Sequence, residues 1–274
     1  MSDDFFLECV YGCAYDQGNW SRASALCQAA VRQAPAFFPL RLLLIQCLLG
    51  KGDYDTAYAL TTDVLPQHPR NSKLLHLRAR ALYLQGQFAS AIKHLQEALR
   101  CDPDNTPCAK DIKMIRKLER GKQAGNDAFK ARRWNDAITA YTECLTLDPT
   151  NHKYNAKLHC NRAAALMKQN KNEQAITDCD ATIRLDPLWP KGYMRRAAAF
   201  TALGGKEYLK RALQDYNKAK DLLPRDQKDS MDSSYVASCP LYCCVWLLAA
   251  PACCNVTDDH VVHHPIVLYC IVLY

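Results

Sequence analysis

Five polar side chains of the sequence have the types and spacing to bind a ligand with two negative charges. They are two ammoniums, one guanidinium and two carboxamides, namely Lys122, Asn126, Asn161, Lys191 and Arg195. Lys122 and Asn126 are four residues apart, as are Lys191 and Arg195, so each pair shares a face if its segment is helical. Charge-assisted hydrogen bonds are the strong ones, and Arg can present two parallel donors to one carboxylate. The set therefore suits two neighbouring carboxylates, such as a chain terminus that ends in aspartate.

The elements that carry these residues recur along the chain. A small turn is followed by an alanine, which we call the anchor alanine, and twelve residues later by a proline. This pattern occurs six times, with anchors at Ala23, Ala57, Ala91, Ala137, Ala175 and Ala212 and prolines at Pro35, Pro69, Pro103, Pro149, Pro187 and Pro224. The anchors of the first three repeats are 34 residues apart, and insertions lengthen the later intervals. The regular interval indicates a repeat protein.

Each repeat has the pattern of a helix-turn-helix unit. In the segment from Gly86 to Pro103 the apolar residues recur at helical spacing, at positions 88, 91, 92, 95, 98 and 99. Small residues allow two antiparallel helices to approach closely, and one unit alone cannot bury its apolar face. The sequence therefore predicts an all-α, right-handed superhelical solenoid of about six such units, with a binding groove.

The five polar residues fall on the predicted first helices of the fourth, fifth and sixth repeats. Counted from the anchor alanines, the corresponding positions of the first three repeats hold Glu8 and Gly12, then Leu43, then Lys73 and Leu77. These residues cannot form the same site. We predict that Arg162 and Arg196, which follow two of the five residues, point to the rim and add only a general positive field.

The repeat pattern resembles the tetratricopeptide repeat over residues 4 to 224, and that family consists of interaction modules without catalytic groups. The five polar residues resemble the two-carboxylate clamp of chaperone-binding members, which bind acidic EEVD-type C-terminal tails of the 70-kDa and 90-kDa heat-shock chaperones. The segment from Asn155 to Leu166 and the long basic helix before the clamp resemble type C DnaJ co-chaperones. Their HPD tripeptide is absent, since Ile266 follows His264 and Pro265. The resemblance therefore implies a chain that binds chaperones without activating them, and a truncated form of such a protein is one interpretation.

The positive charge of the chain belongs to one segment. Of a net charge of +7, residues 109 to 224 carry 23 Lys and Arg against 13 Asp and Glu. A basic groove could instead bind RNA or another acidic partner, with Trp134, Tyr141 and Tyr193 as stacking residues. Against this alternative, the three aromatic residues fall mostly on packing positions of the repeat.

No catalytic motif is present, so we predict neither an enzyme nor a cofactor nor a small-molecule substrate. The N-terminal segment has no secretory signal pattern, which predicts a cytoplasmic protein, with the nucleus as an additional location. Nine of the 15 cysteines lie in helical patterns without a CxxC motif and are predicted to be reduced, largely buried thiols.

The chain divides by pattern into three segments. Residues 1–103 hold three repeats without a clamp, residues 104–224 hold the basic helix and three repeats with the clamp, and residues 225–274 form a Cys-rich apolar tail that we predict to be weakly ordered. Its apolar runs are shorter than the roughly 20 residues of a membrane-spanning helix. Adjacent pairs such as Cys243 and Cys244 are poorly spaced for a metal site. The preferred interpretation is a segment foreign to the repeat domain.

Overall fold

A computed structural model describes residues 19–224, and the regular secondary structure in this range is entirely α-helical. The helices are α1 (Trp20–Gln33), α2 (Phe38–Lys51), α3 (Tyr54–Val64), α4 (Ser72–Leu84), α5 (Phe88–Cys101), α6 (Thr106–Lys130), α7 (Trp134–Leu147), α8 (His152–Lys168), α9 (Asn172–Leu185), α10 (Pro190–Leu203) and α11 (Lys206–Leu222). The predicted long basic helix is the 25-residue helix α6, which also carries Lys122 and Asn126. The interpretations of residues 1–18 and of the tail, residues 225–274, lie outside the described residues.

The anchor alanines occupy equivalent positions in the six repeats. All six are fully buried, each in the second helix of its repeat. The anchor is the fourth residue of α1, α3, α5, α7 and α9, but the seventh residue of α11. The insertion in the sixth repeat therefore lengthens the start of its second helix. The twelve-residue interval from the anchor alanine to the following proline is unchanged.

The turn between the two helices of a repeat requires a left-handed backbone conformation. Gly52 and Gly86 adopt it with φ angles of 90° and 86°. In the fourth and fifth repeats the equivalent residues are Arg132 and Asn170, with φ angles of 59° and 60°. Glycine has no steric cost there and asparagine tolerates the conformation, whereas arginine is strained.

The described helices belong to two compact units. One contains residues 19–126 and 143–155, and the other contains residues 127–142 and 156–224. In the first unit, α1, α2, α3 and α4 pack in sequence around Cys27, Ile45, Leu48 and Leu74, all nearly inaccessible to solvent. In the second unit, α9, α10 and α11 pack in sequence around small and aromatic side chains.

A glycine allows one close approach in the first unit. A Cβ atom on Gly121 of α6 would lie 2.5 Å from the Sγ atom of Cys144 of α7, which is too short for a packed contact. Cys144 is buried and its thiol donates to the carbonyl oxygen of Leu118 at 3.7 Å. The absence of a side chain at residue 121 therefore lets the Cys144 side chain pack directly on the backbone of α6.

The seven cysteines in the described range are free thiols. Six of them are buried and only Cys101 is exposed, which agrees with the predicted reduced, largely buried state. In the same range no helix combines the length and the apolar character needed to cross a lipid bilayer.

Candidate peptide-binding site

Asn161, Lys191 and Arg195 belong to the second unit. Asn161 lies in the middle of α8 and is half-buried, whereas Lys191 and Arg195 lie on the first two turns of α10. Pro190 is the first residue of α10, because its fixed φ angle suits that position and its missing N–H is not needed there. The first turn of α10 contains no acidic residue and its N-cap makes no side-chain hydrogen bond. The positive end of the helix dipole therefore adds to the charge of Lys191.

Arg195 is held against α8 by neutral acceptors. Its Nη1 atom donates to the carbonyl oxygen of Cys160 and lies 3.1 Å from the Sγ atom of the same residue. Burial raises the pKa of the Cys160 thiol, although the charges of Arg195 and Lys191 lower it in part. Because the thiol stays protonated, it does not neutralise the guanidinium. Within residues 19–224, neither Arg195 nor Lys191 forms an ion pair with a carboxylate.

Lys122 and Asn126 belong to the first unit and share one face of α6. Both are half-buried. The Nζ atom of Lys122 lies 5.5 Å from the centroid of the Tyr154 ring, within the range of a cation–π contact. The Tyr154 hydroxyl donates to the Leu118 carbonyl oxygen at 3.0 Å, which fixes the ring. No carboxylate of the described chain forms an ion pair with Lys122.

Two of the equivalent side chains in the repeats without a clamp are buried, whereas Lys73 is exposed. Leu43 and Leu77 are 2% and 5% exposed and belong to the core of the first unit. Glu8 and Gly12 lie outside the described residues. Asn161 and Arg195 are therefore polar and half-buried at positions where the earlier repeats have packed leucines.

The prediction that Arg162 and Arg196 lie at the rim is wrong. Arg162 binds both oxygens of Asp178, from Nε at 2.8 Å and from Nη2 at 2.7 Å. Arg196 binds both oxygens of Asp215 in the same way, at 2.7 Å and 2.6 Å. Both aspartates are buried. The planar guanidinium matches the carboxylate geometry, and the buried charges are compensated in pairs.

The same two arginines also contact the preceding repeat. The Nη1 atom of Arg162 donates to Thr142 of α7 at 2.9 Å, and that of Arg196 donates to Asp180 of α9 at 2.6 Å. Arg78 of the third repeat is equivalent, since it donates to His94 of its own repeat at 3.2 Å and to Thr62 of the preceding repeat at 2.8 Å. We call Arg78, Arg162 and Arg196 the inter-repeat arginines. They join the third, fifth and sixth repeats each to the one before it.

Sequence reasoning missed this role, although a signal was available. Arg78 and Arg162 each lie thirteen residues before an anchor alanine, and Asp178 and Asp215 each lie three residues after one. A recurrent cation and a recurrent acid at fixed distances from the anchors indicate a structural ion pair.

The Asp178 carboxylate interacts with both Arg162 and His159. Burial acts to raise its pKa, but hydrogen bonds from Arg162 and from His159, whose Nδ1 atom lies 2.9 Å away, outweigh burial and leave the pKa below its ordinary value. Asp178 is therefore charged at neutral pH and fully engaged with its partners.

The aromatic residues considered for RNA stacking are engaged in packing. Tyr141 is buried, and Tyr193 is buried with its hydroxyl donating to the Pro187 carbonyl oxygen at 3.1 Å. Trp134 packs edge-on against Phe129, with ring centroids 5.0 Å apart. Neither buried tyrosine presents a face to an unpaired base, which disfavours base stacking by these residues.

Comparisons with known proteins agree with the repeat pattern. Sequence profiles of the tetratricopeptide repeat match residues 14–81, 72–105 and 122–188. The crystal structure of the P58(IPK) TPR domain has the same fold, with a TM-score of 0.63 and 18% identity over 88% of this chain and 66% of that chain.

Two curated relatives are DnaJ homologues. The chain is 38% identical over 180 residues to the DnaJ homolog subfamily C member 7 homolog of Schizosaccharomyces pombe, covering 66% of this chain and 37% of that protein. It is 34% identical over 189 residues to DnaJ homolog subfamily C member 7 of Homo sapiens, covering 69% of this chain and 38% of that protein. The matched region spans less than two fifths of each relative. With tetratricopeptide profiles matching more than half of its residues, the chain belongs to the tetratricopeptide repeat family.

Proposed function

We propose that this chain is a non-catalytic co-chaperone or adaptor. In this proposal its last three repeats bind the acidic C-terminal tails of 70-kDa and 90-kDa heat-shock chaperones through Lys122, Asn126, Asn161, Lys191 and Arg195. The similarity to DnaJ homologues of subfamily C supports the co-chaperone role. The excess of basic residues after residue 109 supports an acidic ligand.

The observation that carries the proposal is that three arginines of the second unit have different kinds of hydrogen-bond partner. Arg162 and Arg196 are half-buried and each binds an aspartate with two hydrogen bonds. Arg195 is also half-buried, but its hydrogen bonds within residues 19–224 run from one nitrogen to the neutral Cys160. A partly buried guanidinium without a carboxylate partner retains donors for one from a ligand.

The ligand that fits these donors is a peptide whose last residue is aspartate. Its terminal and side-chain carboxylates would both be bound by cations and carboxamides, and the preceding glutamates would interact with the surrounding positive field. Hydrogen bonds to charged groups contribute about 1.5–3 kcal/mol each. Much of this is offset by ordering the peptide, so we expect a dissociation constant on the order of micromolar.

Calorimetric titration with a chaperone tail peptide ending in EEVD tests the proposal. We expect Arg195→Ala and Lys191→Ala to weaken binding by at least about tenfold, because each removes a charged donor. Arg184→Ala removes an exposed cation of α9 and is the matched control, with an expected change below about twofold. Circular dichroism melts check that each variant remains folded.

A second peptide distinguishes a two-carboxylate site from a diffuse basic surface. The same tail with an amidated C-terminus lacks the terminal carboxylate but keeps the other acidic residues. We expect it to bind at least about tenfold more weakly than the free acid. Equal affinity of the two peptides, or an unchanged dissociation constant for Arg195→Ala, would contradict the clamp. Binding of RNA that this peptide does not displace would support the nucleic-acid alternative instead.

A further inference from the structure

The outer face of α6 carries an uninterrupted set of cations. Five exposed side chains follow one another on this face, and we call them the α6 basic stripe: Lys110, Lys113, Arg116, Lys117 and Arg120. At about 100° per residue they occupy a sector of about 120°, and at 1.5 Å per residue the stripe is about 15 Å long. All five residues belong to the first unit.

The stripe has no neutralising partner in the described part of the chain. None of its five residues forms an ion pair there. Of the nearby acids, Asp111 is bound to His76 at 2.8 Å, and Glu119 lies at the margin without an ion pair to Arg116. Other exposed cations do pair along their helices, as Arg133 does with Asp136 at 3.1 Å and Arg211 with Glu207 at 3.5 Å.

The arrangement opposes the stability of the helix. Lys113 and Lys117 are four residues apart, as are Arg116 and Arg120, and like charges at this spacing repel each other. Substitution of one member of either pair by glutamate would relieve the repulsion within that pair. The presence of five like charges on one face is therefore a feature that folding does not explain.

The stripe is separate from the proposed clamp. Lys113 and Lys122 are nine residues apart, which places them about 180° apart around α6. Lys122 faces the Tyr154 ring, whereas Lys113 is exposed. Occupation of one face therefore leaves the other accessible.

We propose that the α6 basic stripe binds an acidic, Asp- and Glu-rich segment of a partner protein. Stripe residues three or four positions apart are separated by about 4.5–6 Å along the helix axis, and alternate side chains of an extended chain are about 6.6 Å apart, so several carboxylates can meet several cations. The exposed large apolar residues of the described chain are Leu188 and Tyr208, and neither lies on α6. The stripe thus lacks aromatic rings for stacking bases and apolar side chains for insertion into a membrane.

Fluorescence anisotropy with a labelled decaglutamate peptide whose C-terminus is amidated, so that it lacks the terminal carboxylate needed by the clamp, tests this proposal on the full chain. The test variant is the triple charge reversal Lys113→Glu, Lys117→Glu and Arg120→Glu. The control reverses three exposed cations of the second unit, Lys168→Glu, Lys171→Glu and Arg184→Glu, and has the same net charge. We expect the stripe variant to bind at least about tenfold more weakly and the affinity of the control to change by less than about threefold. Direct contacts with the stripe should contribute more to the affinity than the salt-screened charge of the rest of the chain.

Further measurements make each outcome decisive. A triple glutamine variant of the same stripe residues should also lose affinity, and melting curves show whether both variants fold.

Arg195→Ala should bind decaglutamate normally and an EEVD peptide should not compete, so that failure of the clamp and failure of the stripe are distinguishable. Equal losses in the stripe and control variants would overturn the proposal. Tighter stripe-dependent binding of single-stranded RNA or of phosphatidylserine vesicles than of decaglutamate would overturn the choice of partner.

Discussion

In two pairs of adjacent residues, one member has a structural role and the other has a proposed binding role. The pairs are Asn161 with Arg162 and Arg195 with Arg196. Neighbouring helical residues point about 100° apart, so one member of each pair can face a ligand while the other reaches the next helix. Arg162 and Arg196 bind buried aspartates, and Arg195 contacts the Cys160 carbonyl. The type of residue alone does not reveal its role, because all three are arginines.

The Asp178 carboxylate provides a pH-dependent test of the ion pairs. Its folded-state pKa is below the ordinary value, so its charge stabilises the fold above about pH 4 and this contribution is lost as the pH falls through the folded-state pKa. We expect Asp178→Asn to lower the free energy of unfolding by about 1–3 kcal/mol at pH 7, because Arg162 and His159 lose their partner. Urea denaturation at several pH values measures the difference.

The difference between wild type and Asp178→Asn should shrink as the pH falls below about 4. Asp221→Asn removes an exposed carboxylate of α11 and serves as the control, with an expected effect within about 0.5 kcal/mol. A constant difference between wild type and Asp178→Asn over the whole pH series would show that the charge of Asp178 is not the stabilising feature.

At the scale of the element, the turn between α6 and α7 contains avoidable strain. Arg132 adopts a left-handed conformation with a φ angle of 59°, where the first repeats have glycine. We expect Arg132→Gly to raise the free energy of unfolding by about 0.5–1 kcal/mol, since relief of strain exceeds the added freedom of the unfolded chain. Asn170→Gly at the equivalent turn should give a smaller gain. Urea denaturation that shows destabilisation by Arg132→Gly would contradict this explanation.

The packing of Cys144 on α6 can be tested by a double substitution. Gly121→Ala should lower the free energy of unfolding by about 1–3 kcal/mol, because the new Cβ atom would overlap the Cys144 sulfur. In a Cys144→Ala background the overlap is absent, and Gly121→Ala should instead stabilise α6 by up to about 1 kcal/mol through helix propensity. The same cost in both backgrounds, measured by urea denaturation, would exclude the sulfur as the cause.

At the scale of the whole molecule, the repeat was predictable because it depends on periodicity. The anchor alanines and the proline after each repeat follow from local rules of packing and helix termination, and the described residues confirm them. The roles of Arg162 and Arg196 depend on pairs that are 16 and 19 residues apart, and a view confined to one helix could not assign them. The five clamp residues remain a prediction that binding measurements must test.

The inter-repeat arginines also determine where this chain can be divided and rejoined. Each contacts the second helix of its own repeat and the second helix of the repeat before it. A transplanted cassette that begins with α8 would lose the Thr142 contact of Arg162, whereas one that begins with α7 would keep it. For the construction of chimeric repeat arrays, the suitable module is therefore a second helix followed by the next complete repeat.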